Sequence, residues 1–388
     1  MDVIIEGTCD AAFSPVRDAF AENFAQRGDT GAGFAVLRHG QVVVDLRGGE
    51  ARPGQPWTPN TLVNIWSSTK AVVAVATQVL ADRGLLDTDA PVARYWPEFA
   101  AAGKAEIPVR DLLSHRAGLC GVRVPLSIED LLDWDKVTAI LAETEPWWEP
   151  GTASGYHALT YGYLVGEVIR RVSGQSIGQF VATEIAGPLG ADVHIGVGSG
   201  EIDRTATMSM ADPGDQSDIA ALFATLTPGA IAALTNPSMA APEAAAIANR
   251  EDWKRAEIPA ANGHATALGL ATIYSALARG GLHQGRRLVT AEAVERMRQG
   301  QGRGVDLVLG AGMGGAEIEI GLGVMLSGPE GHYGPNPRAF GHDGYGGSFV
   351  LADPENGIAM AYAMRHMGVA LAGDPRKVAL IDAVYRCV

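Results

Sequence analysis

Apolar residues at Val16, Phe20 and Phe24 recur every fourth position, so residues 14–27 are predicted to form an amphipathic helix. Two short strands are expected next, over 33–37 and 42–46, turning over His39-Gly40, with the Gly48-Gly49 patch ending the pair. Residues 68–83 carry the strongest helical pattern: Val72, Val73, Ala76, Val79 and Leu80 make a long apolar face, and Gly84 falls just past its end. From Pro108 to about Gly280 the pattern stays helical, clearest over 109–114, 128–141, 160–173 and 265–279, with little strand alternation. Loops rich in Gly, Pro and Asp separate these pieces, Ala211-Asp212-Pro213-Gly214 among them. Strand character returns over 322–326, 348–352 and 357–365, the last two joined by a turn at Asn356-Gly357, and residues 376–386 read as a closing helix. Strands at both ends with helices between predict an α/β domain built from both termini, residues 1–85 and 285–388, and a mainly helical domain inserted over 86–284.

Composition narrows the function. At 388 residues the chain buries enough surface to fold without disulfide or metal staples. A hydrophobic share of 47% with 19% charged residues is that of a globular protein. The net charge of −14 repels phosphate backbones and anionic headgroups, so neither nucleic acid nor a membrane surface is an expected partner. No apolar run reaches the roughly 18 residues of a membrane span. The start, Met1-Asp2-Val3-Ile4-Ile5-Glu6, lacks a basic segment and a long apolar one, so it does not read as a secretory signal. Cys9, Cys120 and Cys387 are an odd set with no close pair, which points to a reduced, cytoplasmic protein.

Several familiar chemistries are missing. The sequence holds no His-Glu-x-x-His, no Cys-x-x-Cys and no phosphate-binding Gly-rich loop ending in Lys-Ser/Thr, so neither metal nor organic cofactor is expected. Gly174-Gln175-Ser176-Ile177-Gly178 fits the Gly-x-Ser-x-Gly nucleophile elbow, which needs a strand before it. Here a helix precedes, so Gly174 reads as a helix C-cap and Ser176 as the N-cap of the next helix.

Ser67-Ser68-Thr69-Lys70 opens the strongest helix, and Ser67 is the only serine with a lysine three residues on. Positions i and i+3 share a helix face, so the Lys70 amine can reach the Ser67 hydroxyl. A serine alcohol needs such a base, and a lysine serves as one when burial lowers its pKa. Taken alone, the same pattern also describes a capping serine and a solvated first-turn lysine. Two further features stand out. Tyr156 lies in the loop Gly155-Tyr156-His157-Ala158, after Trp147-Trp148-Glu149-Pro150-Gly151, and Gly341-His342-Asp343-Gly344-Tyr345-Gly346-Gly347 precedes a strand. Read singly, Tyr156 could be an aromatic plug and His342 a turn residue. Trp147 and Trp148 fit either a core pair or the lining of an apolar substrate pocket.

In their order and flanks, Ser67-x-x-Lys70, Tyr156 and His342-x-Gly344 resemble the motifs of the class C β-lactamase and penicillin-binding-protein superfamily, and within it the family VIII carboxylesterases. The flanks Leu112-Leu113-Ser114-His115-Arg116-Ala117-Gly118-Leu119 and Pro150-Gly151 match too, and the likeness runs from about residue 30 to 365. The resemblance implies an α+β or α/β fold: an antiparallel sheet flanked by helices, with a helical domain inserted. It implies a serine esterase in which Ser67 is the nucleophile, Lys70 and Tyr156 relay the proton, and the backbone N–H groups of Ser67 and Tyr345 form the oxyanion hole. His342, Gly344 and Tyr345 would line the substrate side. Ala158 stands where the lactamases carry an asparagine, and His342 where they carry a lysine. Both departures favour small, uncharged esters over β-lactams. A β-lactamase, a D-aminopeptidase or carboxypeptidase, or an acyltransferase on the same site, or a catalytically silent binding module, remain as alternatives, and the oligomeric state is left open.

Overall fold

The computed structural model describes residues 3–212, 223–239, 243–370 and 373–388. Pro213 and Gly214 of the expected Ala211–Gly214 loop lie outside them, as do Met1 and Asp2.

An antiparallel sheet forms the frame. Its strands run in the order Ile5–Cys9, Gln41–Arg52, Gly31–Arg38, Ile358–Met364, Phe349–Asp353, Phe340–Asp343 and Met325–Leu326, with Gln55–Pro56 paired to the end of Gln41–Arg52. The two termini therefore meet at the centre, where Ile358–Met364 pairs with Gly31–Arg38, Ala361 opposite Ala35. The period-2 pattern sorts the faces. Phe34, Val36, Ile358, Met360, Tyr362 and Met364 pack with the helices Ser14–Gln26 and Pro375–Tyr385. Ala35, Leu37, Ala359, Ala361 and Ala363 face the other way, toward Ser68–Asp82 and Ala267–Ala278. Alanines on this second face leave room for helix backbones to come close, which sets the helix Ser68–Asp82 against the sheet.

Most predicted elements stand within a residue or two of their expected ends. Three differences have physical causes. The Gly48-Gly49 patch does not end the hairpin: the strand runs on to Arg52, and the glycines sit where neighbours press. A Cβ on Gly49 (φ 74°) would lie 2.3 Å from Thr30 O. The helix expected over 128–141 is two helices, Ile128–Leu131 and Trp134–Glu143, because Asp133 turns its carboxylate onto the Lys136 N–H and restarts the helix. The helical middle also contains a small antiparallel sheet of Val63–Asn64, Gly263–Ala265 and Val193–Ile195, strands too short to show alternation. Ala267–Ala278, which the expected boundary at 284 groups with the helical domain, packs on the main sheet. Among the described residues no helix is long and apolar enough to cross a membrane.

The helix Ser68–Asp82 is enclosed on all sides, with every residue from Ser68 to Leu80 buried. A helix of that kind is a core element between layers. Its N-terminus is thereby fixed from several directions.

Candidate active site

The chain enters this helix through Trp66, whose φ of 48° is left-handed and rare for a bulky residue. Such strain costs about 1–3 kcal/mol and persists where surroundings enforce it. Here Trp66 is wedged between the rings of Trp253 and Tyr345, with centroids 6.0 and 5.7 Å away. Thr69 Oγ1 donates to Trp66 O at 2.5 Å and accepts from the Gly263 N–H at 2.9 Å, tying the turn to the small sheet. The kink leaves Ser67 half-buried while every other residue from 61 to 70 is buried.

Lys70 is fully buried, and its Nζ lies 3.0 Å from Ser67 Oγ, 2.8 Å from Ala158 O and 2.9 Å from Ala260 O. Desolvation holds its pKa well below the ordinary lysine value. The two carbonyls can only accept, so in its neutral form the Lys70 amine gives them its two N–H bonds and has a lone pair left for the Ser67 hydroxyl. Tyr156 joins from the loop before helix Thr160–Ser173. Its phenol faces the Ser67 side chain, and Lys70 Nζ stands 4.7 Å from its ring centroid. Burial pushes the phenol above the usual tyrosine range, so it keeps its proton at neutral pH.

The third motif comes in on the strand Phe340–Asp343. The His342 ring centroid is 6.1 Å from that of Tyr156, and its Nδ1–H donates to Asp343 O at 2.7 Å. Burial, with Lys70 nearby, lowers its pKa to about 3, so the ring is neutral in the working range. Gly344 lies in the joint between this strand and the helix Ser68–Asp82: an added Cβ would be 2.3 Å from Ile65 O and 2.1 Å from Ser348 Oγ. Two hydrogen bonds span the same joint, Ser68 Oγ to His342 O at 3.3 Å and Ser348 Oγ to Ile65 O at 2.9 Å. Among the described residues neither the Ser67 N–H nor the Tyr345 N–H has a hydrogen-bond acceptor. Asp343, whose side chain points away from His342, is held ionised against its burial by Lys377 at 2.8 Å and His332 at 2.7 Å.

All six expected site residues thus come from three distant segments to one place. Ser176 does not join them. Gly174 is a left-handed cap (φ 72°), Ser176 caps Ile177–Phe180, and its hydroxyl donates to Glu257 at 2.7 Å. Trp147 and Trp148 are half-buried beside the cluster of Cys120, Tyr156 and Val308, and their indole N–H groups are spent on Gly121 O and Ala153 O. Sequence reasoning missed Asp306, a buried carboxylate that accepts the Tyr156 backbone N–H at 2.9 Å. It also gave no role to His115, which packs on the Tyr156 ring, or to the carbonyls of Ala158 and Ala260. A backbone acceptor leaves no mark in a sequence, and Asp306 sits in a loop with no pattern around it.

Known proteins share this fold. The beta-lactamase family model matches residues 16–383. Esterase/beta-lactamase LipL of Mycobacterium tuberculosis (strain ATCC 25618 / H37Rv) is 38% identical over 369 residues, 92% of this chain and 81% of that protein. A solved structure of a family VIII carboxylesterase is 43% identical with a TM-score of 0.91, covering 99% of this chain and 100% of that one. A penicillin-binding protein homologue from Caulobacter crescentus follows at 42% identity and a TM-score of 0.89, with the same coverage. With a match spanning nearly its whole length and relatives of this likeness, the chain belongs to the beta-lactamase family.

Proposed function

We propose that this chain is a serine esterase that hydrolyses small, uncharged carboxylic esters through a Ser67 acyl-enzyme. The observation that carries the reading is the Lys70 amine, 3.0 Å from the Ser67 hydroxyl and held by burial well below the ordinary lysine pKa. Lys70 lowered and Tyr156 raised is the divergence that separates a base from an acid in one site. In the first step Lys70 takes the Ser67 proton as Oγ bonds to the ester carbon. The carbonyl oxygen gains the negative charge and lies against the Ser67 and Tyr345 N–H groups. The bond to the leaving oxygen then breaks, and Tyr156 hands over its phenolic proton, which the Lys70 ammonium replaces. Water attacks the acyl-enzyme by the reverse sequence and frees the acid. The chemistry asks for no cofactor.

The likeness to proteins named esterase and carboxylesterase supports the ester as substrate class. The neutral His342, in the lactamases' lysine position, supports an uncharged one. The substrate partner is a small molecule, and the free cysteines Cys9, Cys120 and Cys387 agree with a cytoplasmic site of action. A second reading, β-lactam hydrolysis, is favoured by the name of the Mycobacterium tuberculosis relative, which joins both activities. The test is kcat/KM for an aryl butyrate beside a chromogenic cephalosporin. A charged anchor is worth about 1.5–3 kcal/mol, so its absence lowers the lactam value roughly 10- to 100-fold relative to an equivalent site that carries lysine. A lactam value equal to or above the ester value would overturn the esterase assignment.

A further inference from the structure

The backbone that carries Tyr156 is held at three consecutive amides. Gly155 N–H donates to His115 O at 3.0 Å, Tyr156 N–H to Asp306 Oδ1 at 2.9 Å, and His157 N–H to His115 Nδ1 at 3.1 Å. Asp306 is 2% exposed, and the same Oδ1 accepts from the Val308 and Leu309 N–H groups, each at 2.9 Å. Ser154 Oγ stands 3.5 Å from its Oδ2. A carboxylate taken out of water is costly unless N–H donors replace the water, and three do so here. His115 is equally committed. Its Nδ1 accepts, so the ring is the neutral Nε2–H tautomer, and burial opposes its protonation. Its ring packs against Tyr156 with centroids 4.8 Å apart, and its own backbone takes a left-handed φ of 61°. Next to it the His157 ring is fixed by Leu119 N–H at 3.1 Å and Gly155 O at 2.7 Å.

We propose that Asp306, with His115 as its counterpart, is a positioning residue for Tyr156: the two clamp residues 155–157 so that the phenol stays at the Ser67 hydroxyl. Asp306 touches no reacting atom, and it acts across a sequence separation of 150 residues. The inference rests on the relay reading of Tyr156. It explains why a buried carboxylate stands behind a tyrosine whose phenol its charge makes harder to ionise. Its geometric hold on the loop is what it contributes.

The test is a double-mutant cycle on purified enzyme with an aryl butyrate. Asp306→Ala should lower kcat about 100-fold with KM nearly unchanged, the scale of an ångström-sized misplacement. Asp306→Asn, whose amide oxygen still accepts the Tyr156 N–H, should recover most of the loss. In a Tyr156→Phe background, Asp306→Ala should cost less than about threefold, because a residue acting through the phenol has nothing left to position. Equal factors in both backgrounds would mean a purely structural role and overturn the inference while leaving the relay standing. Wild-type turnover by Tyr156→Phe alone would overturn the relay itself. Should the alanine variant fail to fold, Asp306→Glu replaces it: the longer side chain keeps the charge but displaces the loop, so its kcat should fall below that of Asp306→Asn. The reverse order would refute the clamp.

Discussion

Replacing Gly344 with alanine tests whether the joint between the third motif and the helix Ser68–Asp82 sets the rate. The new Cβ would sit 2.3 Å from Ile65 O and 2.1 Å from Ser348 Oγ, with Ser68 Oγ at 3.1 Å. The serine hydroxyls can rotate, but Ile65 O is backbone two residues before Ser67. Restoring an ordinary contact means moving the strand edge and the helix start apart by about 1 Å. The shift stretches both hydrogen bonds across the joint, from Ser68 to His342 O and from Ser348 to Ile65 O. At about 1 kcal/mol each, their loss costs about 2 kcal/mol of stability, well within what a domain of this size survives. The functional cost is larger. The same shift separates the Tyr345 N–H from the Ser67 N–H; in the proposed mechanism these are the oxyanion donors, and losing one lowers kcat by about 100- to 1,000-fold. The assay is steady-state hydrolysis of an aryl butyrate beside thermal unfolding of the same preparation. The expected outcome is a folded enzyme with kcat down by at least about 100-fold and KM little changed. A folded Gly344→Ala variant with kcat within a few-fold of wild type would refute the role given to this joint.

Lys70→Arg should lose at least about 100-fold in kcat, since a guanidinium keeps its proton and offers no lone pair, and activity close to wild type would rule Lys70 out as the base. For the wild type, kcat/KM should rise with pH as Lys70 loses its proton, with the midpoint below the ordinary lysine value because of burial; a rate that falls over that interval would contradict it. Acid should also unfold the protein through His157, His264 and His342, whose pKa values burial lowers to about 4, 3 and 3. The unfolded chain binds protons from about pH 6.5 downward while these rings do not, so their stability is complete above that pH and is lost as pH falls toward the folded values, about 2 kcal/mol each at about pH 5. Equal denaturant midpoints at about pH 7 and pH 5 would contradict the assignment of these three rings as buried and neutral.

Much of this was legible in the chain. Period 4 at Val16, Phe20 and Phe24 and the run from Val72 to Leu80 mark helices that the structure contains, and Asn356-Gly357 turns one hairpin where Gly357 takes φ 61°. The helix-then-Gly-x-Ser-x-Gly context correctly separated Ser176 from a nucleophile elbow. What escaped has a common character. Gly48-Gly49 looks like a terminator because composition does not reveal that Thr30 presses on the strand there. The break at Asp133 depends on a side chain choosing a backbone N–H over solvent. The Lys70 carbonyl acceptors and the grip of Asp306 on Tyr156 are made by groups far apart in sequence, and only the fold brings them together.

The central claim is that Ser67 forms the covalent intermediate, and the most direct measurement is to label the enzyme with a fluorophosphonate and map the modified peptide by mass spectrometry. The account predicts a single adduct, on Ser67, formed together with loss of esterase activity and abolished in a folded Ser67→Ala protein. An adduct on Ser176, or full turnover by folded Ser67→Ala, would contradict it.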